Sequence, residues 1–179
     1  GKIIFTVGDP DRVATVSQHL DQVDFQLQNR EFITHPGWKN GHQVSVISTG
    51  MGTDNIEILM TELDALVNVD LQTRQVKSQK TSLQIIRIGT SGSLQEDIPT
   101  GTLLASELAI GMDTLMAYYP PLSGTQDLAQ AIQAELGLTF RPYQAAASRL
   151  LLDKLSPEIP RGVTLTCPGF YAPQGREVR

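Results

Sequence analysis

The chain has a single cysteine, Cys167, in 179 residues, so no internal disulfide can form and stability must come from a packed core. No apolar run approaches the roughly 20 residues that a helical membrane span requires. A cationic surplus is missing as well: 14 Lys and Arg stand against 19 Asp and Glu, a formal net charge of −5. Affinity for nucleic-acid backbones comes from an excess of Lys and Arg, so general nucleic-acid binding is not expected and each basic residue needs a local reason. There is no internal repeat, no low-complexity tract and no Walker loop. Gly50-Met51-Gly52 followed by Asn55 lacks the third glycine of a dinucleotide fingerprint, which speaks against an NAD enzyme. No signal-peptide pattern is present, so a cytoplasmic location is expected. The chain opens at Gly1-Lys2-Ile3 without a methionine, and its true start is expected upstream.

Hydrophobic content of 40% with 18% charged residues is that of a soluble globular protein, and the length suits one domain over residues 1–179. Apolar runs alternate with helical patterns, which predicts an α/β fold. Residues 2–7 read as a buried strand. Gly8-Asp9-Pro10-Asp11-Arg12 reads as a turn into a helix reaching about Leu20, with Asp9 as N-cap and Pro10 at the first helical position. Two extended segments within residues 25–49 flank Asn40-Gly41, a strong hairpin signal. Ile56, Leu59, Met60, Leu63, Leu66 and Val67 recur at helical spacing after Asp54, the expected cap. Residues 68–82 are polar and read as a surface loop, and residues 83–88 read as a buried strand carrying one charge, Arg87. Further strands are expected near residues 102–110 and 142–147, with a helix marked by Leu128, Ala131, Ile132 and Leu136.

Three predicted strand ends carry small or glycine-rich turns: residues 8–12, 48–54 and 87–92. Ligands of open α/β sheets collect at such ends. Glycine admits close backbone approach, and exposed N–H groups attract anions. A guanidinium in an otherwise apolar strand is costly unless it meets an anion or an acidic partner, so Arg87 reads as one half of an oxyanion pocket or of an internal salt bridge. Thr90 and Ser91 hydroxyls follow immediately. Arg12, in the first turn of its helix, can join such a pocket or sit solvated. Arg30 opens a strand, where edge exposure explains it nearly as well as a ligand. Near the C-terminal end, Gln174 offers a donor and an acceptor and Arg176 only donors; beside Phe170 and Tyr171 they can match the edge and face of a planar heterocycle such as uracil. Cys167 reads as a small core residue, because no base is identifiable near it.

Val7-Gly8-Asp9-Pro10-Asp11-Arg12-Val13, Arg30-Glu31-Phe32, Ser48-Thr49-Gly50-Met51-Gly52, Arg87-Ile88-Gly89-Thr90-Ser91-Gly92 and the Phe170, Tyr171, Gln174, Arg176 block together resemble the nucleoside phosphorylase family, most of all its uridine phosphorylases. The resemblance implies an α/β/α sandwich with a central mixed, partly barrel-like sheet. It implies phosphate binding by Gly8, Arg12, Arg87 and Thr90, joined by Arg30 from a neighbouring subunit of a homo-oligomer built from dimers, up to a hexamer. Gly92 would lie beside the base, Phe170 would line the base and sugar pocket, and Gln174 and Arg176 would read uracil. Thr90 would also approach the ribose. In some relatives a monovalent cation lies near the positions of Glu31, Met51 and Asn55; a serine is expected where Asn55 stands, and no metal is assigned here. Relatives continue past the Gln174 to Arg176 block and begin before the first strand, so the chain is expected to be a truncated form, lacking a ribose clamp and inactive alone.

The implied reaction is phosphorolysis of a pyrimidine nucleoside, with Arg87, Thr90 and Arg176 as its catalytic groups. Phosphate held by arginines would meet positive character at C1′, while Arg176 and Gln174 stabilise charge building on uracil. Inorganic phosphate is then a co-substrate and no cofactor is needed. The alternatives are a hydrolytic nucleosidase, a purine nucleoside phosphorylase, and a catalytically dead nucleoside- or phosphate-binding fragment.

Overall fold

The computed structural model describes residues 1–177. Its contacts divide into two compact units, Gly1–Gly92 and a second from Ser93 onward. The first unit runs β1 (Ile3–Val7), α1 (Arg12–Ser17), β2 (Gln22–Val23), β3 (Leu27–Asn29), β4 (Phe32–Lys39), β5 (His42–Ser48), α2 (Thr53–Asn68), β6 (Val69–Asp70), β7 (Gln75–Val76) and β8 (Gln84–Arg87). Six strands form a mixed sheet in the order β2-β4-β5-β1-β8, with β3 also on β4. Strand β1 pairs in parallel with β5 and β8, whereas β4 meets β5 antiparallel.

Side chains alternate across a strand, and β1 uses both faces. Ile4 joins Ile47 and Leu59 of α2, with Phe32, Met60, Leu63, Leu83 and Ile85 packed around them. Val7 turns the other way onto Val46 and Val13 of α1, with Phe5, Val16, Leu20 and Ile33 adjoining. A helix–sheet–helix sandwich results, and each fully buried aliphatic contributes about 1.5–3 kcal/mol. Leu66 lies off the buried face of α2 and is exposed.

Local corrections follow from hydrogen bonding. Asp9 does not cap α1: its carboxylate accepts from the Asp11 N–H at 3.0 Å, and the helix starts at Arg12. It ends at Ser17 rather than Leu20, closing with turns from Ser17 and Val16 carbonyls. Gly52, not Asp54, occupies the N-cap of α2, at φ 97°. The Asn40-Gly41 turn forms as expected, with both residues at positive φ. Asp21 braces it, accepting from the Asn40 N–H at 2.6 Å and from Lys39 Nζ at 3.0 Å. Residues 68–82 contain a short antiparallel ladder, β6 on β7. Asp70 turns it by accepting from the Gln72 and Thr73 N–H groups, and Asn68 ties its return by exchanging two hydrogen bonds with the Thr81 backbone.

His35, in the middle of β4, is 5% exposed, and its Nδ1 lies 2.8 Å from Ser17 Oγ at the end of α1. Desolvation holds its pKa below the ordinary 6.5, so the folded state favours the neutral ring. A basic group with a lowered folded pKa contributes stability that is complete above pH 6.5 and is lost as pH falls through the folded value. Melting temperature is therefore expected to drop as pH is lowered below that point. His35→Gln should flatten this dependence; an equally steep profile in the variant would assign the acid sensitivity to other groups.

The second unit contains β9 (Ala105–Gly111), α3 (Asp127–Glu135), β10 (Tyr143–Ala146), α4 (Arg149–Leu152) and β11 (Arg161–Thr166). Strand β9 lies between antiparallel β10 and parallel β11. Buried Gln144 accepts from the Ala129 N–H in the first turn of α3, at 3.1 Å, standing in for a side-chain cap. The Gln126 side-chain amide in turn bonds both the N–H and the C=O of Gln144, each at 2.9 Å, imitating another strand on that edge of β10. Gly111 is glycine because the Tyr143 ring lies where a Cβ would be, and Tyr143 donates to Asp113 at 2.7 Å. The mixed sheets with helices give the expected α/β class, and among the described residues neither larger sheet closes on itself.

Candidate functional site

Strands β1, β5 and β8 run parallel and adjacent, so their C-terminal ends lie on one edge of the sheet. Those ends carry the three turns singled out in the sequence. Backbone bonds seat them: Thr49 N–H donates to the Val7 carbonyl at 2.7 Å, and Ile88 N–H to the Thr6 carbonyl at 2.8 Å. Gly8 and Gly50 are in close approach, since a Cβ on Gly8 would lie 3.7 Å from the Gly50 carbonyl oxygen.

Arg87 is the last residue of β8, opposite Thr6, and is exposed at this edge rather than enclosed in the strand. Among the described residues it has no ion-pair partner, which removes the internal salt bridge. Its guanidinium folds back along the turn. Nη2 lies 3.5 Å from the position of a Gly8 Cβ, and Nη1 fills the space that a side chain on Gly89 would need. Gly8 and Arg87 therefore share one surface, with Thr90 and Gly92 exposed in the segment just after it. The sequence reading included Gly89 in the glycine-rich turn but gave it no role of its own. The available signal was its spacing of two from Arg87, which in extended backbone puts both on one side.

Arg12 begins α1, where its N–H bonds the Asp9 carbonyl at 3.1 Å. It too is exposed and unpaired among the described residues. Arg30 does not open a strand. It is the first residue of the two-residue turn between β3 and β4, in left-handed backbone at φ 55°. That turn lies at the same sheet edge, because the start of β4 faces the end of β5. Three strand spacings, about 14 Å, separate β4 from β8, so the fold does not place the Arg30 backbone beside Arg87. Asn55 Nδ2 donates to the Met51 carbonyl at 2.9 Å. No cluster of three or more metal-ligating side chains occurs among the described residues.

In the second unit, residues 171–176 form a tight 3-10 turn, Ala172–Gln174, followed by Gly175 at φ 71°. The Tyr171 carbonyl accepts from both the Gln174 N–H at 2.8 Å and the Arg176 N–H at 3.0 Å. One acceptor thus fixes the backbone of the two residues that flank Gly175. Phe170 and Tyr171 are 67% and 62% exposed, apolar faces open to a planar ligand. Burial pushes the Cys167 thiol up from its ordinary value, the reverse of what activates a nucleophile.

These features define an α/β protein whose parallel strand ends bring glycine turns to one sheet edge together with arginines that have no ion-pair partner among the described residues. The family model described as Phosphorylase superfamily matches residues 2–179. The chain belongs to that superfamily. It is 28% identical over 169 residues to a uridine phosphorylase of Haemophilus influenzae, covering 94% of this chain and 57% of that protein. It is 30% identical over 146 residues to a DeoD-type purine nucleoside phosphorylase of Lactococcus lactis, covering 76% and 56%. A crystal structure of a Trypanosoma brucei nucleoside phosphorylase, described as showing uridine phosphorylase activity, superposes with a TM-score of 0.84 at 31% identity, over 99% of this chain and 65% of that one. The chain spans a little more than half the length of the curated relatives it matches.

Proposed function

We propose that this protein is a pentosyltransferase that cleaves a pyrimidine nucleoside with inorganic phosphate, converting uridine to uracil and ribose 1-phosphate. The observation that carries the reading is the Arg87 guanidinium, without an ion-pair partner among the described residues, laid over Gly8 at the shared end of three parallel strands. Phosphate held by Gly8, Arg12, Arg87 and Thr90 attacks C1′ as the bond from C1′ to the base nitrogen breaks. The electron pair leaves with the base, and a proton from solvent completes uracil. Gly92, Phe170, Gln174 and Arg176 receive the base. Arg176 and Gln174 donate to the oxygens on which charge accumulates.

The turn position of Arg30, apart from Arg87 in its own chain, supports its service in a neighbouring subunit of a homo-oligomer. The two compact units are read as parts of one phosphorylase domain acting in cytoplasmic pyrimidine salvage, without a cofactor. A purine base would need a larger pocket, and a purine-specific phosphorylase would be expected to lack the Gln174 and Arg176 pair. Uridine, cytidine and inosine are to be assayed with the full-length protein that contains this chain, with and without inorganic phosphate. Turnover of uridine only when phosphate is present is expected. Equal rates without phosphate would establish hydrolysis, and faster inosine cleavage would establish the purine enzyme.

A further inference from the structure

The Ser48 to Gly52 block is one of the three turns expected to collect a ligand, yet its best-defined contacts are with the chain itself. Ser48 is fully buried at the end of β5. Its Oγ donates to the Glu31 carbonyl at 2.5 Å and accepts from the Ile33 N–H at 2.7 Å. The β4–β5 backbone ladder pairs Thr34 with Ile47 and runs no further toward Ile33. The hydroxyl therefore supplies the next rung, and it does so at the base of the turn that carries Arg30. Gly50, at φ 69°, seats the same turn from its other side: a Cβ there would lie 2.7 Å from both Glu31 Cγ and Asn55 Nδ2.

Arg30 holds left-handed backbone, uncommon for a residue with a Cβ. Such a conformation persists only where its surroundings over-determine it. Beyond the ladder to β3, Gln28 Nε2 donates to the Arg30 carbonyl at 3.4 Å, and the neighbouring Glu31 is held by the Ser48 hydroxyl on its carbonyl and by its side chain lying against Gly50. We propose that Ser48 is a positioning residue for Arg30, and so sets phosphate affinity without touching phosphate. This rests on the reading above that Arg30 binds phosphate, in a neighbouring subunit's site. Loss of the hydroxyl releases the turn into an ensemble in which only a fraction of molecules present Arg30, and apparent affinity falls by that fraction.

The test is a kinetic cycle on the protein in its native assembly, with inorganic phosphate and uridine varied separately. Ser48→Ala is expected to raise the phosphate KM about tenfold while kcat and the uridine KM stay within about twofold. In an Arg30→Ala background the same change should add nothing. Gly50→Ala, which disturbs the turn without removing the hydroxyl, should give the same pattern and does not depend on Ser48→Ala folding. A Ser48→Ala or Gly50→Ala effect that multiplies on top of Arg30→Ala, or that raises both KM values alike, would overturn the positioning role and leave the Arg30 reading intact. An unchanged phosphate KM in Arg30→Ala alone would overturn that reading, and this inference with it.

Discussion

Arg87→Ala is expected to lower turnover of uridine with phosphate by about 10²–10³-fold, the usual cost of losing one preorganised donor to a reacting oxyanion. The reason lies in its geometry at the sheet edge: the guanidinium has no acidic partner among the described residues, and it lies against the two glycines that leave room for it. Stability should be nearly unchanged, because an exposed unpaired arginine contributes little to folding. Gly89→Ala provides an independent check. Its methyl group would occupy the place of Nη1 and displace the guanidinium while preserving the charge, so the phosphate KM should rise with an unaltered melting temperature. Steady-state kinetics at varied phosphate and thermal melts of both variants decide the matter. Near-normal phosphate dependence in Arg87→Ala would remove the arginine from the site.

Arg176→Ala is expected to reduce kcat/KM for uridine by a similar factor of about 10² or more, and Gln174→Ala by somewhat less, since a neutral amide stabilises developing charge less than a guanidinium does. Both side chains project from a turn whose backbone hydrogen bonds end on the Tyr171 carbonyl, so truncation leaves the turn in place. Neither variant should gain strong activity on inosine, because deleting donors does not reshape a pocket for a purine. Cytidine should be a poor substrate of the unmutated protein, as its exocyclic amine would face the Arg176 donors. Competition assays with the three nucleosides test this. A preference for cytidine or inosine in the unmutated protein would show that this pair does not read uracil.

Most of the first unit was legible in the sequence. The apolar run at residues 2–7, the Asn40-Gly41 turn and the helical spacing from Ile56 to Leu63 each express a local rule, and each element forms where the pattern puts it. Helix ends were less legible. Asp9 and Asp54 are good caps by type, yet the backbone at Gly52 and the short carboxylate turn from Asp9 to Asp11 took those positions. The ladder of β6 on β7 was missed because its strands are only two residues long, each one valine and one polar residue, too short to show a period. Strand β11 was missed as well: it pairs in parallel with β9, more than fifty residues away in sequence, and parallel partners leave no turn between them to read.

At the site, residue types, spacing and family resemblance were enough to nominate Gly8, Arg12, Arg87, Thr90 and the Gln174 to Arg176 block, because anion and heterocycle recognition demand specific donors and small turns. Sequence also determined the class of fold, since alternating patterns of period two and 3.6 admit few arrangements. Tertiary structure alone decided that Arg87 has no ion-pair partner among the described residues, that Arg30 sits in the turn between β3 and β4, that the Ser48 hydroxyl bonds Glu31 in that turn, and that Gly89 leaves room for the Arg87 guanidinium. The physical reason is range. A hydrogen bond from Ser48 to Glu31 spans seventeen residues, and the room beside a glycine depends on which side chain the fold lays against it.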